Sequence, residues 1–174
     1  MLLANIAYYF ENYAETAIRL LETYHKKDIG NNEIAWVYAV GLVNLSNKQD
    51  LAGREDSIQK LEQLSNNYPD NVEITLEYAK GLVNLSNKQD LAGAEDSVQK
   101  LEQLSNDYPG NAKIALRYAK GLFNLSCEQD LAGRKDSVQK LEQLSNDYPG
   151  NPEIALEYAY GLFNLSYEQD LAGA

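Results

Sequence analysis

Apolar side chains return along this chain at the three- and four-residue spacings of an α-helix, broken by short polar stretches. Between residues 112 and 129 the set is Ile114, Tyr118, Leu122 and Leu125, with Gly121 among them. These positions share one helical face and predict a first helix from about Ala112 to Gln129. Val138, Leu141, Leu144 and Ser145 form a second stripe and predict a second helix from about Ala132 to Asp147. Asn111 stands where a cap accepts the first free amides of the first helix. Asp130 or Asp136 stands where a cap or first-turn carboxylate favours the second. Tyr148-Pro149 ends it, because a residue before proline avoids helical geometry. Gly150, or Asp70 in an earlier copy, then makes the turn.

The pair recurs. Gly41-Leu42-Val43-Asn44-Leu45-Ser46 returns at 81–86, as Gly121-Leu122-Phe123-Asn124-Leu125-Ser126, and at 161–166, in steps of 40 residues without insertion or deletion. Residues 69–108 and 109–148 differ at ten positions, which means recent duplication or deliberate construction. Neither helix can bury its stripe alone, whereas stacked pairs bury every stripe against a neighbour. The pattern predicts an all-α array over 1–174. Residues 1–30 form a divergent N-terminal helix pair, 31–68, 69–108 and 109–148 full repeats, and 149–174 an incomplete one. Glycine inside a helix costs about 1 kcal/mol relative to alanine. Its return at 41, 81, 121 and 161 therefore points to a close helix crossing.

Ser137, Leu141, Leu144 and Pro149 stand at spacings of four, three and five, as do Ser57, Leu61, Leu64 and Pro69, and Ser97, Leu101, Leu104 and Pro109. This second-helix pattern resembles the tetratricopeptide repeat. In the first helix Tyr118-Ala119 is similar to the family's leucine-glycine pair, and Leu122 and Leu125 to the large apolar residues after it. The resemblance implies a right-handed superhelix of antiparallel helix pairs whose first helices line a concave groove. It also has departures. The family's unit is 34 residues, and the six extra ones here fall around Glu128-Gln129-Asp130-Leu131-Ala132-Gly133, either lengthening both helices or making a longer turn. The family's first-helix tryptophan is missing from its usual place. At the N-terminus Ala17, Leu21 and Tyr24 keep the second-helix spacing, Ile29 replaces the proline, and Phe10-Glu11-Asn12-Tyr13 reads as a tight turn.

Composition narrows the function classes. A formal net charge of −11 disfavours nucleic acid and anionic membranes as partners. No apolar run has the length of a membrane span, and the N-terminus lacks a basic flank and cleavage pattern for a signal peptide. The single cysteine, Cys127, cannot form an internal disulfide, and a reducing cytoplasm is the simplest setting. His25, the only histidine, excludes a Ser-His-Asp set elsewhere and has no cluster for zinc. It is expected with Lys26 and Lys27 at a helix C-terminus, where positive charge is favourable. The acidic group Asp90, Glu95 and Asp96 lacks the alternating spacing of a calcium loop and reads as helix capping. No phosphate-cradling glycine loop appears. The expectation is therefore no enzyme, no cofactor and no metal.

Subtracting the core face from each first helix leaves columns on the proposed groove. They are Trp36, Leu76, Leu116 and Leu156; Val40, Lys80, Lys120 and Tyr160; Val43, Val83, Phe123 and Phe163; and Asn44, Asn84, Asn124 and Asn164, joined by Arg117. A carboxamide both donates and accepts, so the asparagines could hold an extended peptide, or each could bond a neighbouring helix or simply be copied by duplication. The family's clamp for acidic C-terminal tails is not reproduced by Val40, Lys80, Lys120 and Tyr160. These residues predict a scaffold that binds a protein or peptide. The alternative is a self-assembly module, a possible homodimer joined through Tyr158, Leu162 and Leu165 of the incomplete repeat. A sensor or enzyme would need another domain.

Overall fold

The computed structural model describes residues 14–172, so the expected turn at Phe10–Tyr13 lies outside it. The described residues form eight α-helices: α1 (Ala14–Lys27), α2 (Asn32–Ser46), α3 (Leu51–Asn67), α4 (Val72–Ser86), α5 (Leu91–Asp107), α6 (Ala112–Glu128), α7 (Leu131–Asp147) and α8 (Pro152–Ala172). The even-numbered helices are the first helices of the repeat and the odd-numbered ones the second. The protein is all-α, built of consecutive helix pairs.

Local chemistry fixes where helices start. The Asn111 carboxamide accepts from the Lys113 and Ile114 amides, both at 3.2 Å, and Asn31 and Asn151 act alike. Each of α3, α5 and α7 opens on an aspartate: Asp50, Asp90 and Asp130 accept from the Gly53, Gly93 and Gly133 amides at 2.9, 3.0 and 2.9 Å. Asp130, not Asp136, is thus the cap of α7. The glutamine before each aspartate folds back over the first turn and accepts from a buried serine. Ser57, Ser97 and Ser137 donate to Gln49, Gln89 and Gln129 at 2.8, 2.9 and 2.7 Å. A Cβ at Gly133 would stand 3.0 Å from Gln129, so glycine leaves room for this fold-back.

The six extra residues lengthen helices. Only Gln129 and Asp130 separate α6 from α7, and Leu131-Ala132-Gly133 is already helical. In the two earlier copies the first helix stops at Ser46 or Ser86, leaving residues 47–50 or 87–90 as the turn. At the other end of the pair Tyr148 closes α7 by donating its amide to the Leu144 carbonyl at 3.0 Å. Among the described turns Gly110 alone takes a left-handed φ, 82°.

The chain divides into two compact units, Met1–Gly81 and Leu82–Ala174, the division falling within α4. In the first unit α2 packs on α1 and α3, burying Ile18, Leu21, Tyr38, Leu42, Ile58 and Leu61. The Ser65 and Thr75 hydroxyls, 3.1 Å apart, tie α3 to α4. His25 sits between the rings of Tyr38 and Tyr68, with centroids 5.9 and 5.7 Å away. The Tyr68 hydroxyl donates to the Ile29 carbonyl. Burial, then the neighbouring Lys26, holds the His25 pKa below its usual value. The histidine does end α1 beside Lys26 and Lys27, but its surroundings favour the neutral ring over the charge expected there.

In the second unit α6 packs on α5, α7 and α8, and α8 on α6 and α7. Leu101, Leu122 and Leu141 are fully buried. A Cβ on Gly121 would lie 2.6 Å from Leu101 Cδ1, and one on Gly161 3.0 Å from Leu141 Cδ1. The close crossing expected at these glycines is present. Arg134, buried, donates to the carbonyls of Gln129, Asn164 and Cys127 at 3.3, 3.4 and 3.5 Å. It thus meets carbonyls at the C-terminal end of α6, which lack intrahelical partners, and ties them to the Asn164 carbonyl in the body of α8.

Candidate interaction surfaces

Three faces of α6 are assigned by its neighbours, since side chains rotate by about 100° per residue. Gly121 and Tyr118 face α5, the Tyr118 hydroxyl donating to Glu102 Oε1 at 2.8 Å. Phe123 faces α8, its ring centroid 5.9 Å from that of Tyr160. Ala115, Ala119, Leu122 and Ser126 form a fully buried side between these two directions. What remains is a polar strip of Lys113, Arg117, Lys120 and Asn124. Lys113 is exposed and the other three are half-buried. The corresponding strip of α8 holds Glu153, Glu157, Tyr160 and Asn164.

The strip therefore contains Arg117, Lys120, Asn124, Tyr160 and Asn164 of the sequence-based set. The Asn124 carboxamide makes no hydrogen bond among the described residues. Asn164 donates to Cys127 Sγ at 3.4 Å, so this asparagine does bond a neighbouring helix. Glu157 has its pKa raised by burial, with Lys120 opposing the shift and Glu153 adding to it.

Leu116 does not belong to the strip. It stands seven residues, two turns, before Phe123 and shares the side that α8 covers, so only 7% of it is exposed. Val43 and Val83, the Phe123 counterparts, are buried as well. Subtraction from sequence placed these positions on the open face because it allowed for one core face, whereas a stacked helix has more than one. In the first unit Trp36 is 38% exposed and Asn44 exposed, while Val40 and Leu76 are half-buried. Lys80 pairs with Glu77 at 3.3 Å on α4, the helix that also bears half-buried Asn84.

On the second-helix side of the second unit, Lys140 on α7 bonds Glu102 on α5 at 2.9 and 3.0 Å. Cavities of about 440 and 350 Å³ flank this bridge, each lined by both residues. Burial alone would raise the Glu102 carboxyl, but hydrogen bonds from Lys140 and Tyr118 hold it below the usual range. Burial and donation to Glu102 push the Tyr118 hydroxyl up. Sequence reasoning missed this bridge. The signal was the recurrence of glutamate at 22, 62, 102 and 142 and of lysine at 60, 100 and 140, which reads as solvated charge until the helices are stacked.

No protein-family model and no curated protein matches this chain.

Of the self-association set, Tyr158 is half-buried, its hydroxyl pKa raised by burial and then by the Glu142 charge. Leu165 is half-buried and Leu162 is 43% exposed. Among the described residues no helix is long and apolar enough to cross a membrane, and no group of three metal-ligating side chains occurs.

Proposed function

We propose that this chain is a protein-interaction scaffold that holds an extended partner segment along the polar strip of its first helices. One observation carries the reading. The sequences of α6 and residues 152–168 of α8 differ at five positions: 112/152, 113/153, 117/157, 120/160 and 127/167. Three of these lie on the strip and the fourth, Cys127 against Tyr167, borders it. The buried positions are the same in both copies. Packing explains the constancy of the buried face, and recognition of a partner that differs along its length explains variation on the open one.

The strip also describes the partner. Lys113, Arg117 and Lys120 put three cations on α6, one and two turns apart, in a chain of net charge −11. Glu153 and Glu157 put carboxylates on α8. The matching segment has acidic side chains over α6 and basic ones over α8, with Asn124 bonding its backbone. The tetratricopeptide resemblance, with its groove of first helices, supports the same side. A cytoplasmic setting, in which Cys127 stays a thiol, is part of this reading.

The test is to select binding peptides from a random 12-residue library and measure their affinity by fluorescence anisotropy. Lys120→Glu and Asn124→Ala are each expected to weaken the selected peptides about tenfold or more, as for truncation of an interface anchor. Unchanged helical circular dichroism would show that the fold is intact. Equal affinity in the parent and both variants would remove the strip from the binding site.

A further inference from the structure

The helices α6 and α8 carry the same apolar residues in different surroundings, so each serves as a control for the other. Ala115, Ala119, Leu122 and Ser126 of α6 are at most 1% exposed. Their counterparts Ala155, Ala159 and Ser166 are exposed, and Leu162 is 43% exposed. Leu116 is buried whereas Leu156 is 48% exposed, and Phe163 is 70% exposed. The helix α6 has α7 and α8 packed after it, while α8 has only α6 and α7 packed before it. The Phe123–Tyr160 contact assigns the Leu116 and Phe123 side to the following first helix. That leaves the side of Ala119 and Leu122 to the following second helix, α7. The two alanines and the serine are small enough for a helix to lie close.

The same comparison gives the electrostatic half of the contact. On α6 the Tyr118 hydroxyl bonds Glu102 of α5, and Lys140 of α7 closes on that carboxylate. One step on, Tyr158 of α8 and Glu142 of α7 are the counterparts of Tyr118 and Glu102, and Gly161 of α8 lies on Leu141, the residue before Glu142. No lysine closes on Glu142 among the described residues. Between Tyr158 and Tyr167 α8 bears no charge at all, so the charge preference beside this face comes from α7, where Glu142 stands in the place of Glu102.

We propose that the Ala155, Ala159, Leu162 and Ser166 face of α8 is a second docking site, taking an amphipathic helix with the α7 pattern Val-x-Lys-Leu-x-x-Leu. Its valine and leucines cover the apolar stripe, and its lysine pairs with Glu142. The site lies on the side of α8 away from the peptide strip and is independent of it. A second copy meeting the first α8 to α8 would bring apolar sides together but would leave Glu142 unanswered. The pattern therefore favours a lysine-bearing helix.

The probe is a labelled synthetic peptide of residues 131–147, added to the full chain and followed by anisotropy. Saturable binding is expected, with Leu162→Glu in the chain weakening it tenfold or more while circular dichroism stays helical. A Lys140→Glu peptide is expected to bind about fivefold more weakly, in the range of a partly exposed ion pair, and a Glu142→Lys chain to recover it. Absence of binding at millimolar peptide, indifference to Leu162→Glu, or no recovery in the charge swap would overturn the proposal. So would a dimer, seen by sedimentation, that the peptide does not dissociate.

Discussion

At the scale of single residues, the glycine that recurs in each first helix is held by two opposed terms. Alanine in its place gains about 1 kcal/mol of helix propensity. Overpacking a filled core costs about 1–3 kcal/mol. At Gly121 a Cβ would come within 2.6 Å of Leu101, itself fully buried, and 3.3 Å of Val98, so the core term wins. At Gly161 the nearest atoms are at 3.0 and 3.2 Å, on a helix with an open side that can shift. Gly121→Ala is therefore expected to destabilise by up to about 2 kcal/mol, and Gly161→Ala to be close to neutral. Chemical denaturation of the two variants checks the order, and equal losses would contradict it. The glycine period was legible in the sequence. The difference between its copies was not, because it depends on whether a helix lies beyond.

At the scale of the helix, identical segments behave differently. Glu128-Gln129-Asp130-Leu131-Ala132 contains the break between α6 and α7, with Asp130 as a cap. The same residues at 168–172 run on as helix, making α8 21 residues long. A cap is worth about 1 kcal/mol, less than the packing that turns the chain back over α6. The helix α8 lies against α6 and α7 alone among the described residues, whereas α6 lies against α5, α7 and α8. In a stack of nearest-neighbour contacts, stability follows the number of flanking helices. Amide exchange in the second unit is expected to be faster throughout α8 than in α6, and a mass-spectrometric time course resolving both would show it. Slower exchange in α8 would mean that its open face is covered in solution.

At the scale of the whole molecule, pH gives a test with a defined sign. His25 is the only side chain of its type, and histidine titrates between pH 5 and 8 when unperturbed. Its folded pKa lies below the reference value of 6.5, so in that range the unfolded chain binds more protons. Stability from this site is full above pH 6.5 and is lost as pH falls through 6.5 toward the folded pKa. The melting temperature is expected to drop from pH 7.5 to pH 6, and to drop less in His25→Phe, which cannot titrate. The carboxylates held low, Glu22 and Glu102, lose their contribution only below their reference value of 4.5, outside this window. An equal drop in both proteins would place the titration elsewhere.

The sequence by itself determined the helices, their caps and their pairing, because spacing, capping and proline breaks act within a few residues. It placed Arg117, Lys120 and Asn124 on an open strip for the same reason. Only the tertiary structure decided that Leu116 lies against a neighbour, that Glu102 joins Tyr118 and Lys140, and that one copy of a repeated face is left open. A residue's exposure depends on every helix that reaches it, and equal residues in successive copies have unequal neighbours.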